Sequence, residues 1–462
     1  MLNEVRDNTL YFDGCSTVEL ARQYGTPLYV FSESEIVRRC SELRRCFLTV
    51  WPNTRAAYAC KAFCTPAMLR LVQREGLCID VVSGGELYTA IQAGFPAERI
   101  EFNGNNKLRA ELELAVDYGI GRVILDGLQE LPLLEEICAA RGKKMNVLYR
   151  VTPGIQADSH DYIVTGRKDS KFGIPLDDDV LYPAVRAALD SKWVNFLGFH
   201  FHVGSQLFDN APYLAALEVV LGLVREVRRR FGHTVAELNL GGGFGVTYTD
   251  EARPPYAYFL DPLMARLEAF CQDEGMTRPA VVIEPGRSIV AEAGLSLYTV
   301  GSIKDIRGVR KYVSVDGGMT DNIRPSLYGA VYRGLLANRA EEASTDTATI
   351  CGKCCESGDI LIRDARIPPA RPGDLLAVFE GVPSGTLPLG ELGQGMDVAS
   401  LAVKAGFLPS LSEARRALKE NSLSVNKEKV SAERVITSGD LLRGRYLVLQ
   451  RGRKNYFLLT VE

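Results

Sequence analysis

The sequence predicts an α/β protein built on a (β/α)8 barrel of the TIM type, with an antiparallel β domain and a small C-terminal α+β module. Three observations predict it. Between Arg55 and Glu284 a short apolar run gives way to a longer amphipathic run eight times, and eight is the number at which parallel strands close on themselves. Lys, Asp, His, Gly and Glu residues gather at the C-terminal ends of those apolar runs, the end at which barrels carry their active sites. Finally, charge is uneven: from Gly395 onward there are 12 Lys and Arg against 7 Asp and Glu, a net of +5, whereas the remainder carries −8.

The apolar runs are 56–60, 78–82, 99–102, 122–125, 146–151, 196–203, 236–240 and 280–284. Continuous Val, Ile, Leu and Phe suit strands buried on both faces. Between them PAMLRLVQREG, KLRAELELAVDYG and YLAALEVVLGLVREVRRRFG read as helices; an open doubly wound sheet is the competing architecture. Residues 9–31 and 295–378 hold further β runs, separated by Asp-Gly-Gly and Pro-Gly-Asp turns, and predict a sheet domain made from both ends of this region. The expected divisions are a barrel over 36–285, a β domain from 1–35 with 286–378, a linker over 379–396 and the small module over 397–462.

With 462 residues the chain exceeds a single core. A net charge of −3 excludes an overall electrostatic nucleic-acid binder. There is no apolar stretch of membrane-spanning length and no signal core at the start. Eleven cysteines without a regular framework point to free thiols in a reducing cytoplasm. No metal site is expected: Cys354-Cys355 lacks matching ligands.

The residues at the strand ends can be read for chemistry one by one. Lys61 follows the first run and is expected to be desolvated, which would favour a Schiff base; a lysine snorkelling from the rim is the plainer reading. Asp80 and Ser83 mark the second. His200 and His202 alternate onto one face; His202 could stack on a planar cofactor and Ser205 donate to its phosphate, or the two imidazoles could serve a metal. Gly241, Gly242 and Gly243 let backbone N–H groups approach a phosphate, or form a tight turn with no ligand. Glu284 could pair a pyridinium nitrogen, or form a structural ion pair with Arg287.

Taken in order, the segments YACKA (58–62), DVVSGGEL (80–87), GNNK (104–107), DSKFG (169–173), HVGSQ (202–206), NLGGGFG (239–245), EPGRSIVAEAG (284–294), DGGMTDNIRPSLY (316–328) and CESGD (355–359) resemble the diaminopimelate decarboxylase family over residues 5–378. The wider group to which that family belongs contains alanine racemase and ornithine decarboxylase. The resemblance implies pyridoxal 5'-phosphate on Lys61, His202 stacked on its ring, and Glu284 at the ring nitrogen. Ser205, Gly242, Gly243 and the backbone around Gly286 would hold the phosphate, with Asp80 and Arg287 also lining the cofactor site. Arg287, Arg324 and Tyr328 would bind the distal carboxylate of the amino-acid substrate and Glu356 its distal ammonium. Cys355 would donate a proton in the partner subunit's site, making the enzyme a homodimer with shared sites. The implied reaction converts meso-2,6-diaminopimelate to L-lysine and CO2; another basic amino acid is the alternative substrate.

The pattern departs from the family after Val378. Where the family continues Gly-Ala-Tyr-Gly, with a tyrosine that serves the cofactor, this chain reads FEGVPSGTLPLGELG, and no tyrosine follows until Tyr446. Residues 379–462 instead resemble the C-terminal part of bacterial tyrosyl-tRNA synthetase. A capping box at Ser410–Glu413 precedes a helix over 413–421, and a hairpin joins YLVLQ to YFLLTV through RGRKN. The resemblance implies RNA contact through Arg415, Arg416, Lys419, Arg451 and Arg453; a solvated basic face is the plainer reading. An RNA-binding hybrid with a cofactor-loaded but impaired barrel is the alternative for the whole chain.

Overall fold

The computed structural model describes residues 2–155, 170–247, 253–379, 384–387, 392, 395–405, 407–408, 411–426, 428–441, 446–451 and 455–461. The described residues fall into two compact units, one comprising Ser32–Val246 with Arg253–Ala293 and the other the two ends of the chain.

The first unit is a closed barrel of eight parallel strands. They are Thr54–Ala59, Cys78–Val81, Ile100–Phe102, Arg122–Leu125, Met145–Arg150, Val194–His200, Glu237–Asn239 and Ala280–Ile283. Closure is made by the eighth strand pairing with the first. Each strand matches one of the eight apolar runs, because strands wrapped by helices bury both faces. The helices start where the sequence supplies an acceptor for their unpaired N–H groups. Thr65 Oγ1 accepts from Met68 N ahead of Pro66–Arg74, and Ser83 Oγ from Glu86 N ahead of Gly84–Ala93. The 21-residue helix Ala211–Phe231 buries Leu217, Val220, Val224 and Val227 on one side, which is the spacing that its sequence shows.

Inside the barrel the strands also carry charge. Arg122 Nε lies 3.2 Å from Glu237 Oε1, Arg55 pairs with the same carboxylate, and Arg122 Nη1 lies 3.8 Å from Glu101 Oε2. Buried charges persist only when paired. This layer crosses strands one, three, four and seven.

In the second unit the hub is the long strand Gly294–Ile306. It pairs antiparallel with Leu28–Phe31, Arg310–Val315 and Leu375–Phe379. Arg333–Leu336 adds to Leu375–Phe379. The expected antiparallel sheet is in fact mixed, since Arg310–Val315 and Asp346–Cys351 pair parallel. The long connection between them, which includes the helix Arg324–Tyr328, allows the second strand to re-enter in the same direction. Arg339 is buried with Asp374 (2.8 Å) and also bonds Glu342.

The C-terminal residues of this unit have their own core, including Leu401, Ala414, Ala417, Leu447 and Leu459. Their five-stranded sheet runs 384–387, 455–461, 446–451, 423–425, 428–429. The stretch 379–396, expected as a linker, contributes the strand Ser384–Leu387, paired parallel with Asn455–Val461. It also supplies the fully buried Leu392, so among its described residues Ser384–Leu387 belong to this sheet and Leu392 to its core. The hairpin forms as expected, and the helix spans Leu411–Lys419; Ser410 lies outside the described residues. All eleven cysteines are free thiols. Among the described residues no helix is long and apolar enough to cross a membrane.

Candidate active site

The C-terminal ends of the barrel strands bring together most of the predicted barrel residues. Lys61 lies on the short turn Cys60–Ala62 directly after the first strand. It is exposed, contrary to the expectation of a desolvated amine: Ala59 and Cys60, at the strand end, are buried, while the turn carries Lys61 and Ala62 out at the mouth. Its charge acts on Asp80, Glu86, His202 and Glu284, which places the amine and the acid in one electrostatic neighbourhood.

Glu284 ends the eighth strand and is buried. Its Oε1 accepts from Asn103 Nδ2 at 3.0 Å and Asn239 Nδ2 at 2.9 Å, and His200 Nε2 lies 3.0 Å away. Burial alone would push its pKa up, but His200 and, less strongly, Lys61 outweigh that and hold the carboxyl well below the usual range. Asp80, Glu101 and Glu284 approach within 4.8 Å of one another. Burial, and then the charge of Glu284, push both Asp80 and Glu101 well above the ordinary carboxylate range. Three acids so close cannot all ionise, and the negative charge settles on Glu284.

His202 is held neutral: burial, then the charges of Lys61 and Arg150, push its pKa well down. Gly242 N donates to His202 Nδ1 at 3.2 Å, which leaves the proton of the neutral ring on Nε2. Gly241 and Gly243 have φ of 68° and 103°, a region closed to most side chains. A Cβ on Gly242 would stand 2.0 Å from the Glu284 carbonyl oxygen, and one on Gly243 2.1 Å from that of Gly204, the neighbour of Ser205. The loop is therefore backbone packed on backbone, as a phosphate cradle requires. At Gly286 an added Cβ would meet Ala59 Cβ at 3.0 Å. Arg287, half-buried, opens the short helix Arg287–Val290. An amine, an anionic acid, a neutral imidazole and a glycine loop around one barrel mouth fit the reactive carbon, ring nitrogen, ring face and phosphate of pyridoxal phosphate.

The remaining predicted residues belong to the sheet unit. Arg324 Nη1 donates to Tyr332 Oη at 2.7 Å, and Tyr328, half-buried, ends the same short helix. Cys355 and Glu356 are exposed on the turn 352–359. Ser326 Oγ donates to Gly358 O at 2.7 Å, tying that helix to that turn. Asp359 accepts from Met319 N at 2.6 Å and Cys354 N at 2.9 Å, joining the turn to the Asp-Gly-Gly loop. The structure thus ties the helix that carries Arg324 and Tyr328 to the turn that carries Cys355 and Glu356. Ser326 and Asp359, which make these ties, were not singled out from sequence, although both lie inside the quoted motifs. Asn103, Asn239 and His200 were likewise not assigned to Glu284. In the C-terminal sheet Arg416 lies 3.6 Å from Glu413 and 4.0 Å from Glu420, and Arg451 bonds Glu413 at 2.7 Å. The expected single basic face is therefore divided: Arg415 and Lys419 line a groove of about 520 Å³ with Lys429, while Arg416 and Arg451 are engaged by acids. Arg453 lies outside the described residues, as do Arg443, Arg445 and Lys454.

Comparison with known proteins agrees with this geometry. The family described as "Pyridoxal-dependent decarboxylase, pyridoxal binding domain" matches residues 33–291. The family described as "Tyrosine--tRNA ligase SYY-like C-terminal domain" matches 374–459. The fold and the site thus define a barrel decarboxylase of the pyridoxal-dependent class. Diaminopimelate decarboxylase of Bacillus subtilis (strain 168) is 47% identical over 371 residues, covering 80% of this chain and 84% of that relative. The solved diaminopimelate decarboxylase of M. jannaschii, in co-complex with L-lysine, superimposes with a TM-score of 0.75 at 34% identity, covering 82% of this chain and 87% of that one. That of Helicobacter pylori, also complexed with L-lysine, gives 0.71 at 30% identity, covering 79% and 88%. Within the class, the chain belongs to the diaminopimelate decarboxylase family.

Proposed function

We propose that the chain decarboxylates meso-2,6-diaminopimelate, one carboxylate leaving as CO2 and a proton replacing it to give L-lysine. The observation that carries this is a buried Glu284 held by two amides at the end of the eighth strand, on the barrel mouth where the turn after the first strand presents Lys61, in a chain whose relatives are diaminopimelate decarboxylases by name. Lys61 would carry pyridoxal phosphate. Ser205, Gly242, Gly243 and the Gly286 turn would hold its phosphate. Asp80, near Glu284, and Arg287 would also line the cofactor site, and His202 would cover the face of the ring. Pyridoxal phosphate, when bound, supplies a ring that takes up the electron pair left by the departing carboxylate. Glu284, anionic, keeps the ring nitrogen protonated and so strengthens that uptake. His202, neutral, can lie against the ring without adding a second positive charge.

Charge chemistry supports the substrate. Its distal end carries a carboxylate and an ammonium, which need a cation and an anion to recognise them. Arg324, with Arg287 and Tyr328, is assigned to the carboxylate and Glu356 to the ammonium. Cys355, exposed beside Glu356, is assigned as proton donor in a homodimer with shared sites. Eleven free thiols suit a reducing cytoplasm. Purified protein supplied with pyridoxal phosphate should release CO2 from meso-diaminopimelate and form L-lysine in equal amount. Release from ornithine, arginine or lysine in preference would overturn the substrate assignment, and cofactor uptake without release from any of them would favour the impaired hybrid.

The C-terminal match and the Arg415–Lys419–Lys429 groove favour a second, independent reading, weak contact with RNA phosphates. Retention on tRNA should then fall with salt at a log–log slope of about −2 to −3, the value for some three phosphate contacts. Binding that ignores salt, or none, removes this reading.

A further inference from the structure

The barrel mouth contains two buried carboxamides to which no role has been given so far. Asn103 follows the third strand and is 3% exposed; Asn239 ends the seventh and is fully buried. Each spends both hydrogens of its Nδ2. Asn103 donates to Asp80 Oδ1 at 2.8 Å and to Glu284 Oε1 at 3.0 Å. Asn239 donates to Glu101 Oε1 at 3.1 Å and to Glu284 Oε1 at 2.9 Å. Glu284 therefore sits between two amides, and each amide stands between it and one of the neighbouring acids. The remaining oxygen of Asn239 accepts Gly241 N at 2.9 Å. A backbone N–H can only donate, so this contact fixes which way round the Asn239 amide lies.

The geometry points to Asn239, with Asn103 as its counterpart, as a positioning residue of the decarboxylation that holds Glu284 in register with the glycine loop. This rests on the reading of Glu284 as the acid that meets the ring nitrogen. Amides suit the task for a physical reason. Glu284 must stay anionic beside two other acids, which calls for hydrogen-bond donors. A lysine or arginine would donate too, but it would neutralise the charge that the ring nitrogen needs. A carboxamide donates without net charge. Both amides take the same oxygen, Oε1, and so leave Oε2 to the ring. Asn239 also reaches the loop that holds the phosphate end of the same coenzyme, so one side chain sets the spacing between the two ends of the bound group.

The test is Asn239→Asp, which keeps the size of the side chain and an acceptor for Gly241 N. The new carboxyl would face Glu101, Glu237 and Arg122, as well as Asp80, Glu284, His200 and His202, with Lys61 and Arg150 acting on the same cluster. When ionised it repels Glu284; when protonated it donates to Glu284 Oε1 as the amide does. Apoprotein titrated with pyridoxal phosphate, followed by absorbance, should bind about tenfold more weakly or worse at pH 8.5. The deficit should shrink towards pH 6, and kcat should follow the same acid-shifted profile. Cofactor affinity and pH dependence equal to those of the unsubstituted protein would overturn the proposal. If Asn239→Asp does not fold by circular dichroism, Asn103→Asp makes the same test from the other side. Loss of fold in both counts against the proposal, which assigns the amides to the acid and not to the integrity of the barrel. Failure of the unsubstituted protein to take up pyridoxal phosphate would sink the site assignment itself, whereas normal uptake with indifferent variants sinks only the role of the amides.

Discussion

Lys61→Ala should leave a folded protein that gives no visible absorbance band on addition of pyridoxal phosphate and whose decarboxylation rate is down by about 10⁴-fold or more. The fold should survive because Lys61 is exposed on a three-residue turn and packs no core, so its melting temperature without cofactor should stay within a degree or two, as for other surface changes. The catalytic loss should be near total because Lys61 is the amine presented at the mouth beside Glu284, its charge acting on Asp80, Glu86, His202 and Glu284 alike. An added primary amine should restore part of the turnover, since what is lost is a nucleophile and not a shape. A band that persists in Lys61→Ala would move the cofactor to another lysine and overturn the site.

Glu284→Gln should lower kcat by about 10²–10³-fold, the usual scale for removing one preorganised electrostatic partner, while leaving the band in place. Glutamine keeps the shape but not the charge, and the ring nitrogen then has no anion to keep it protonated. The substitution has a second consequence, in the opposite direction. Asp80 and Glu101 are held protonated by burial first and by the charge of Glu284 next, so removing that charge moves both back toward their ordinary range. A carboxyl raised in the folded state stabilises it fully below the unfolded value of about 4, and that contribution fades as pH rises toward the folded value. The variant apoprotein should therefore be less penalised at high pH than the unsubstituted one. Unchanged kcat in Glu284→Gln would remove the acid from the mechanism.

What was legible in the sequence follows from what each signal measures. The eight strands were legible because a barrel strand is covered on both faces, so Val, Ile and Leu run without a break; Arg122–Leu125 coincides with its apolar run residue for residue. The same rule hid the interior. Glu101, Glu237 and Asn239 sit as single polar residues at alternate places within apolar runs, which reads as tolerance at a strand end, yet alternation is what turns them together into the barrel. Lys61 was rightly placed and wrongly solvated, since flanking apolar residues report the strand and not the turn that follows it. Arg416 could not be told from Arg415 by spacing alone: one residue on a helix is a turn of about 100°, enough to send one toward Glu413 and the other into the groove. The parallel pair in the sheet unit depends on how a long connection returns, which no local pattern encodes.

The strand Leu375–Phe379 stands in two ledgers at once. Likeness to the synthetase tail begins at residue 374, yet this segment is hydrogen-bonded to Gly294–Ile306 on one side and to Arg333–Leu336 on the other. Anyone trimming the tail at the edge of sequence likeness would pull a middle plank from the decarboxylase's own sheet and strand Arg333–Leu336 without a neighbour on that side. A cut made after Phe379 would leave both pairings in place, so the edge of the sequence likeness and the edge of this sheet lie one strand apart.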